Sequence, residues 1–178
     1  VHRLLDENRL RTVAVALRQD VQQLVERVVP RVTGNLEPTA DWLVALEGIL
    51  AVVHCAARVH VMVDKSGNPL EDFRHINVQG TLNLARQAAA AGVKRFVFVS
   101  SIKVNGEMTQ LGIPFTAGDV PAPLDSYGVS KMEAEQGLRE IARQTGMEVV
   151  IIRPPLVYGP GVKANFKAMM RWLKFGVP

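Results

Sequence analysis

Arg95-Phe96-Val97-Phe98-Val99-Ser100-Ser101 is an apolar run of strand length that ends on two hydroxyl side chains. An irregular stretch with several Gly and Pro residues follows. A helix is then expected to open at Asp125 or Ser126, either of which can cap its first turn, and to last to about Thr145, where Gly146 ends it. Glu148-Val149-Val150-Ile151-Ile152-Arg153 is the next apolar run, stopped by Pro154-Pro155. Apolar and polar residues do not strictly alternate inside these runs, so both faces of the strands are expected to be covered. Strand, helix, strand is the building unit of a parallel sheet.

The same alternation extends towards both ends of the chain. Ile49-Leu50-Ala51-Val52-Val53-His54-Cys55-Ala56-Ala57 reads as a buried strand running into a turn of small residues. A long helix is expected over residues 69–91, with proline at its start and Gly92 at its end. Residues 12–17 form a short apolar run. Residues 28–32 form an imperfect one, whose Pro30 suits a sheet edge. Asp41 can cap a short helix through Leu46 that stops at Gly48. Residues 1–8 read as the middle of a helix with no cap before it, and residues 165–175 as a last amphipathic segment. Together these elements predict an α/β fold built on a doubly wound parallel sheet.

Composition agrees with that class. The 178 residues suffice for one ordinary domain, and 48% hydrophobic against 21% charged residues is the balance of a globular protein with a sizeable core. A net charge of +4 would favour a diphosphate-bearing partner, or simply reflect basic residues on solvated helix faces. No Lys/Arg cluster alternates with aromatics, so no nucleic-acid partner is expected. Cys55 is the single cysteine, which excludes an internal disulfide; it is expected to be a small buried core residue. No stretch is long and apolar enough for a membrane span and no signal-peptide pattern opens the chain, so a cytoplasmic location is expected. His2, His54, His60 and His75 fit no common ligand spacing, and no metal site is expected.

Tyr127-Gly128-Val129-Ser130-Lys131 carries the chemistry. A Tyr and a Lys four apart on a helix face the same way. A free phenol, with a pKa of about 10, is a poor base at neutral pH, and a neighbouring ammonium favours its ionised form. The pair thus reads as a proton acceptor and donor, although this spacing also arises by chance. Ser101 lies where ligands bind in open α/β sheets, at the carboxyl end of a strand, and there it could hold a substrate oxygen. Taken alone it reads equally as a turn residue.

The run from Val97-Phe98-Val99-Ser100-Ser101-Ile102-Lys103-Val104-Asn105-Gly106 to Tyr127 and Lys131, and on to Arg153-Pro154-Pro155-Leu156-Val157-Tyr158-Gly159-Pro160-Gly161, resembles the extended short-chain dehydrogenase/reductase superfamily. Within it the chain resembles the NAD-dependent epimerase/dehydratase family, near its UDP-glucose 4-epimerase members. His54-Cys55-Ala56-Ala57-Arg58 and Asn77-Val78-Gln79-Gly80-Thr81-Leu82-Asn83 fit the same family, so the matches span residues 49–165.

The resemblance implies a Rossmann-like domain and a nucleotide-sugar 4-epimerase working by transient hydride transfer to a bound nicotinamide cofactor. Tyr127 would be the acid/base. Lys131 would lower its pKa and hold the nicotinamide ribose, and Ser101 would hydrogen-bond the sugar hydroxyl. Ala56, Ala57 and Val99 would pass close to the cofactor, with Pro154 and Val157 flanking the nicotinamide. Arg18, Asn35 and Leu36 would lie at its adenosine end. Arg58, Asn77 and Asn165 would serve the substrate side, Asn77 by bracing the loops and Asn165 by touching the substrate's nucleotide. A homodimer through a four-helix interface of residues 69–91 and 125–145 is also implied.

Departures from the family pattern carry expectations of their own. The glycine-rich dinucleotide fingerprint is found nowhere in the chain. Residues 1–178 are therefore read as a partial dinucleotide-binding domain that lacks the first strand and the C-terminal substrate lobe, with that lobe beginning from about residue 155. This piece alone is expected to be inactive. Ala16-Leu17-Arg18 offers no carboxylate for the ribose diol, and Arg18 would suit a 2′-phosphate, so NAD is the first choice of cofactor and NADP the alternative. Ile102-Lys103 stands where 4,6-dehydratases have Asp-Glu, which ranks dehydration low. Asn105 replaces a common tyrosine and is expected to alter substrate contacts. An NAD(P)-dependent carbonyl or sugar reductase would use the same three residues. A non-catalytic dinucleotide sensor on the same fold would have no need of them.

Overall fold

The computed structural model describes residues 14–17, 35–59, 68–157 and Lys174. Its elements are β1 (Ala14–Leu17), α1 (Leu43–Leu46), β2 (Ala51–His54), α2 (Pro69–Phe73), α3 (Thr81–Ala90), β3 (Arg95–Val99), α4 (Ser126–Thr145) and β4 (Glu148–Ile152). A π-helical segment, Arg74–Gly80, joins α2 to α3, and a 3-10 turn, Ile102–Val104, follows β3. The expected run at 28–32, the helix at 1–8 and the segment at 165–175 apart from Lys174 lie outside the described residues. Arg18 and Asn165 do too.

The strands lie in the order β1-β2-β3-β4. β2, β3 and β4 run parallel, with Val52 opposite Phe96 and Phe96 opposite Val149, so their carboxyl ends gather at one end of the sheet. β1 differs from the expected parallel arrangement and pairs antiparallel to β2, Ala14 facing His54. An antiparallel neighbour satisfies the backbone groups along that edge as fully as a parallel one does.

The core lies on one side of the sheet. Phe96 and Phe98 are fully buried, and Leu84, Ala85 and Ala88 of α3 and Ala134, Leu138 and Ile141 of α4 join them in one cluster. Alanine at three of these helix positions lets the helix backbones come close to the sheet and to each other. On the opposite face Val53, Val97 and Val99 are half-buried, while Val150 and Ile152 are 41% and 47% exposed. Among the described residues, therefore, helices cover one of the two faces on which a doubly wound sheet is layered.

Local signals account for the helix ends. The Asp125 side chain accepts from Gly128 N at the head of α4, and Gly146 closes it with φ 73°. Asp41 accepts from Leu43 N at 2.9 Å ahead of α1. The helix expected over 69–91 runs from Pro69 to Ala90, but with a wide turn that local propensity does not announce. Such an insertion shifts the register of the helix and is frequent at functional sites. Asn77 lies at its middle, 1% exposed.

At the end of that wide turn, Gly80 is pressed against the segment that precedes α1. A methyl group there would stand 2.9 Å from the Leu36 carbonyl oxygen and 3.0 Å from Leu36 Cγ. Leu36 is itself 1% exposed and cannot swing away. Gly80→Ala is expected to cost about 1–3 kcal/mol, the range for overpacking, and urea denaturation would measure it.

Candidate active site

The parallel register puts the ends of β2, β3 and β4 side by side, and the chain leaves each of them through polar or small residues. Cys55, Ala56 and Ala57 follow β2, Ser100 and Ser101 follow β3, and Arg153 and Pro154 follow β4. Pairing continues past the strands: Ser100 N donates to Ile152 O at 2.7 Å and Ile102 N to Pro154 O at 3.0 Å. Ser101 is thus held between two fixed neighbours. Its Oγ accepts from Lys103 N at 3.3 Å, which starts the 3-10 turn.

Helix α4 brings Tyr127 and Lys131 to these strand ends. Its buried residues include Ser130, Lys131, Ala134, Glu135, Leu138 and Ile141, one face at helical spacing. Lys131 is 2% exposed; its ammonium donates to Val99 O at 2.9 Å and lies 4.4 Å from the centre of the Phe98 ring. The Tyr127 ring is half-buried, 5.9 Å from that ammonium and edge-on to Phe73 at 6.1 Å. Lys103 Nζ donates to Asp125 Oδ2 at 2.5 Å and to Glu107 Oε1 at 3.0 Å, tying the 3-10 turn to the head of α4.

The electrostatics correct one expectation. Lys131 was expected to lower the pKa of Tyr127, yet burial raises it and the nearby Asp125 carboxylate adds to the rise; the opposing cation is Lys103. The price of burial falls on Lys131 as well, whose pKa drops to about 8, with Cys55 and Glu135 pulling the other way. Burial, and then the charge of Lys131, also hold His54 neutral with a pKa of about 3. Its Nε2 pairs with Thr81 Oγ1 at 2.9 Å and its ring stacks on Phe98.

Asn77 links the loop after β2 to α4. Its Oδ1 accepts from Arg58 N at 2.7 Å, and its Nδ2 donates to Arg58 O and to Ser130 Oγ, both at 3.0 Å. Ser130 in turn donates to Tyr127 O at 2.8 Å. The Arg58 guanidinium lies 5.6 Å from the centre of the Phe73 ring and 3.4 Å from Asp72. Ala56, Ala57, Val99 and Pro154 are half-buried around the strand ends, whereas Val157 is 72% exposed. Asn35 is exposed and Leu36 is buried beside Gly80.

One further expectation is corrected. Cys55 is exposed, because β2 ends at His54 and the next residue points away from the packed side. Asn105 is 4% exposed and spends its carboxamide inside the protein, accepting from Arg153 Nη1 at 3.0 Å and donating to Thr116 O at 2.9 Å. Its carboxamide is thus engaged within the protein. The reading from sequence also missed Glu135, which is 2% exposed and bonds both Ser100 and Arg153. Its position four residues beyond Lys131, on the same helix face, was the available signal. Among the described residues no group of three His, Cys, Asp or Glu side chains could hold a metal ion, and no helix is long and apolar enough to cross a membrane.

The residues around Lys131 fit a nicotinamide ribose. An ammonium has three donors, and Val99 O takes one, so the donor chemistry of Lys131 suits ribose hydroxyls.

Residues 1–174 match the family model described as the NAD dependent epimerase/dehydratase family. The chain is 54% identical over 145 residues to the UDP-glucose 4-epimerase of Vibrio cholerae, which covers 82% of this chain and 44% of that protein. It therefore spans less than half the length of that relative. Among solved structures, DesIV, a dTDP-glucose 4,6-dehydratase from Streptomyces venezuelae with NAD and TYD bound, superposes with a TM-score of 0.69 at 32% identity, over 85% of this chain and 48% of that one. RMD from Pseudomonas aeruginosa, complexed with NADPH, superposes with a TM-score of 0.65 at 27% identity, over 85% and 54%.

Proposed function

This chain belongs to the NAD dependent epimerase/dehydratase family, and on that premise we propose that it is the catalytic part of a nucleotide-sugar 4-epimerase with Ser101, Tyr127 and Lys131 as its working residues. The observation that carries this reading is the buried Lys131, bonded to the tip of β3 one helical turn from Tyr127 and beside the Ser100–Ser101 end of the same strand. A lysine 2% exposed is costly to keep in a fold, and neutral core residues would pack there at less cost.

When bound, the oxidised nicotinamide supplies a hydride acceptor and a positive charge of the sign that Tyr127 needs. Ser101 Oγ would hold the sugar hydroxyl. Tyr127, once ionised, would take its proton as the hydride leaves the same carbon, producing a keto-sugar. After the sugar turns over, Tyr127 would return the proton as the hydride returns to the opposite face. Lys131 would keep the phenolate charge compensated and bind the ribose. Because burial raises the Tyr127 pKa, ionisation of this phenol is expected to depend on cofactor binding.

The similarity to DesIV raises dehydration as a rival, and Lys103 argues against it. Neither Ile102 nor Lys103 brings a carboxyl group, and Asp125 and Glu107, bonded to the Lys103 ammonium, raise its pKa and so hold its proton back from a departing hydroxyl. The likeness to RMD with NADPH keeps a reductase as the second reading. UDP-glucose incubated with the complete protein and NAD is expected to yield UDP-galactose without net accumulation of NADH, as read by NMR of the sugar anomers. Net consumption of NADPH without an epimer would favour the reductase. Formation of neither product would overturn the enzyme reading.

A further inference from the structure

A buried ion pair stands behind the proposed catalytic group and touches every element that carries it. Glu135 Oε1 accepts from Ser100 Oγ at 2.6 Å and from Arg153 Nε at 2.9 Å, and Oε2 accepts from Arg153 Nη2 at 2.6 Å. The side chains of Glu135 and Arg153 are 3% and 12% exposed. Arg153 reaches on through Nη1 to Asn105 Oδ1, and Asn105 donates to Thr116 O, so the pair also anchors the loop beyond the 3-10 turn.

The topology of these contacts is specific. Ser100 and Ile102 are the two chain neighbours of Ser101. The first is bonded to Glu135, and the second donates to the carbonyl of Pro154, the residue after Arg153. Glu135 itself sits one turn beyond Lys131 and two beyond Tyr127 on α4. One carboxylate thereby links the strand tip that presents Ser101 to the helix that presents Tyr127 and Lys131. Apolar residues of similar volume often replace a buried ion pair with no loss of stability. Bidentate pairing instead supplies fixed direction and distance.

Resting on the proposed function, we infer that Glu135 and Arg153 are a positioning pair that sets the separation between Ser101 and the Tyr127–Lys131 couple without touching substrate. The Glu135 carboxylate also helps to hold the proton on Lys131 against burial. The other groups facing that ammonium are Cys55 beyond β2, the neutral His54 of β2 and Tyr127 on its own helix, with Arg153 behind Glu135.

The test uses the complete protein with its cofactor. The apolar pair Glu135→Met with Arg153→Met is expected to keep its melting temperature within a few degrees while kcat falls roughly 10- to 100-fold and KM changes little, the pattern of misplaced reacting groups. Full kcat in that folded double variant would overturn the inference. Should the double variant fail to fold, Ser100→Ala decides: it removes one link from Glu135 and leaves the ion pair intact. A lower kcat that Ser100→Thr restores supports the pair, and unchanged kcat refutes it. A second readout stands apart from turnover. In protein labelled with 13C-lysine, with the Lys131 signal assigned by its absence from Lys131→Met, Glu135→Gln is expected to move the Lys131 titration to lower pH. An unmoved titration would count against the pair even if the wild type made no epimer, which would be a failure of the functional reading alone.

Discussion

On the proposed role, replacing Tyr127 by phenylalanine is expected to lower turnover of the complete protein by roughly 10²–10⁴-fold, the usual contribution of a positioned acid/base, while the fold stays intact. The two effects separate because of where the ring sits. It packs edge-on to Phe73 at 6.1 Å, and phenylalanine keeps that contact. Burial already keeps the hydroxyl neutral in the fold, so no buried charge is lost with it. Steady-state kinetics would show a drop in kcat with KM nearly constant, and the melting temperature would change by no more than a few degrees. Wild-type turnover in a folded Tyr127→Phe protein would remove this residue from the mechanism.

Lys131→Met should move activity and stability in opposite directions. Lys131 is 2% exposed, and the pKa of its ammonium is lowered from 10.5 to about 8, chiefly by burial. Below pH 8 the fold must therefore carry a buried charge that the unfolded chain carries at no cost. The gap in affinity for the proton corresponds to about 3 kcal/mol. Methionine removes that cost but leaves the Val99 carbonyl without its donor, which returns about 1–2 kcal/mol. The net expectation at pH 7, without added cofactor, is a gain of about 1–3 kcal/mol in stability and a near-complete loss of turnover. The pH dependence has a definite sign. Between pH 8 and 10.5 the unfolded wild type binds more protons than the folded one, so wild-type stability gains from this group as pH rises through that window. Lys131→Met should lack that rise. Denaturation curves at pH 7 and pH 10 for both proteins would reveal it, and equal slopes would show that Lys131 is not held charged in a buried setting.

Much of the architecture was legible before any coordinates. The cap at Asp125, the stop at Gly146 and the proline at position 69 bound the helices as expected. Each of these acts over one turn of chain. The wide turn at Arg74–Gly80 and the antiparallel direction of β1 were not legible, because both answer to distant partners. Gly80 meets Leu36, and Asn77 reaches Arg58 and Ser130.

For the site, the order of residues along the chain was enough to put Tyr127 and Lys131 on one helix face and Ser101 at a strand tip, since helical period and strand length are local properties. Folding alone settled how these groups behave as acids and bases. Desolvation and Coulomb forces depend on depth and on through-space distance, and neither is written in residue spacing. Hence the phenol that spacing alone would make more acidic is made less so, the lysine beside it becomes the weakly held proton, and Glu135 finds Ser100 and Arg153 across separations of 35 and 18 residues.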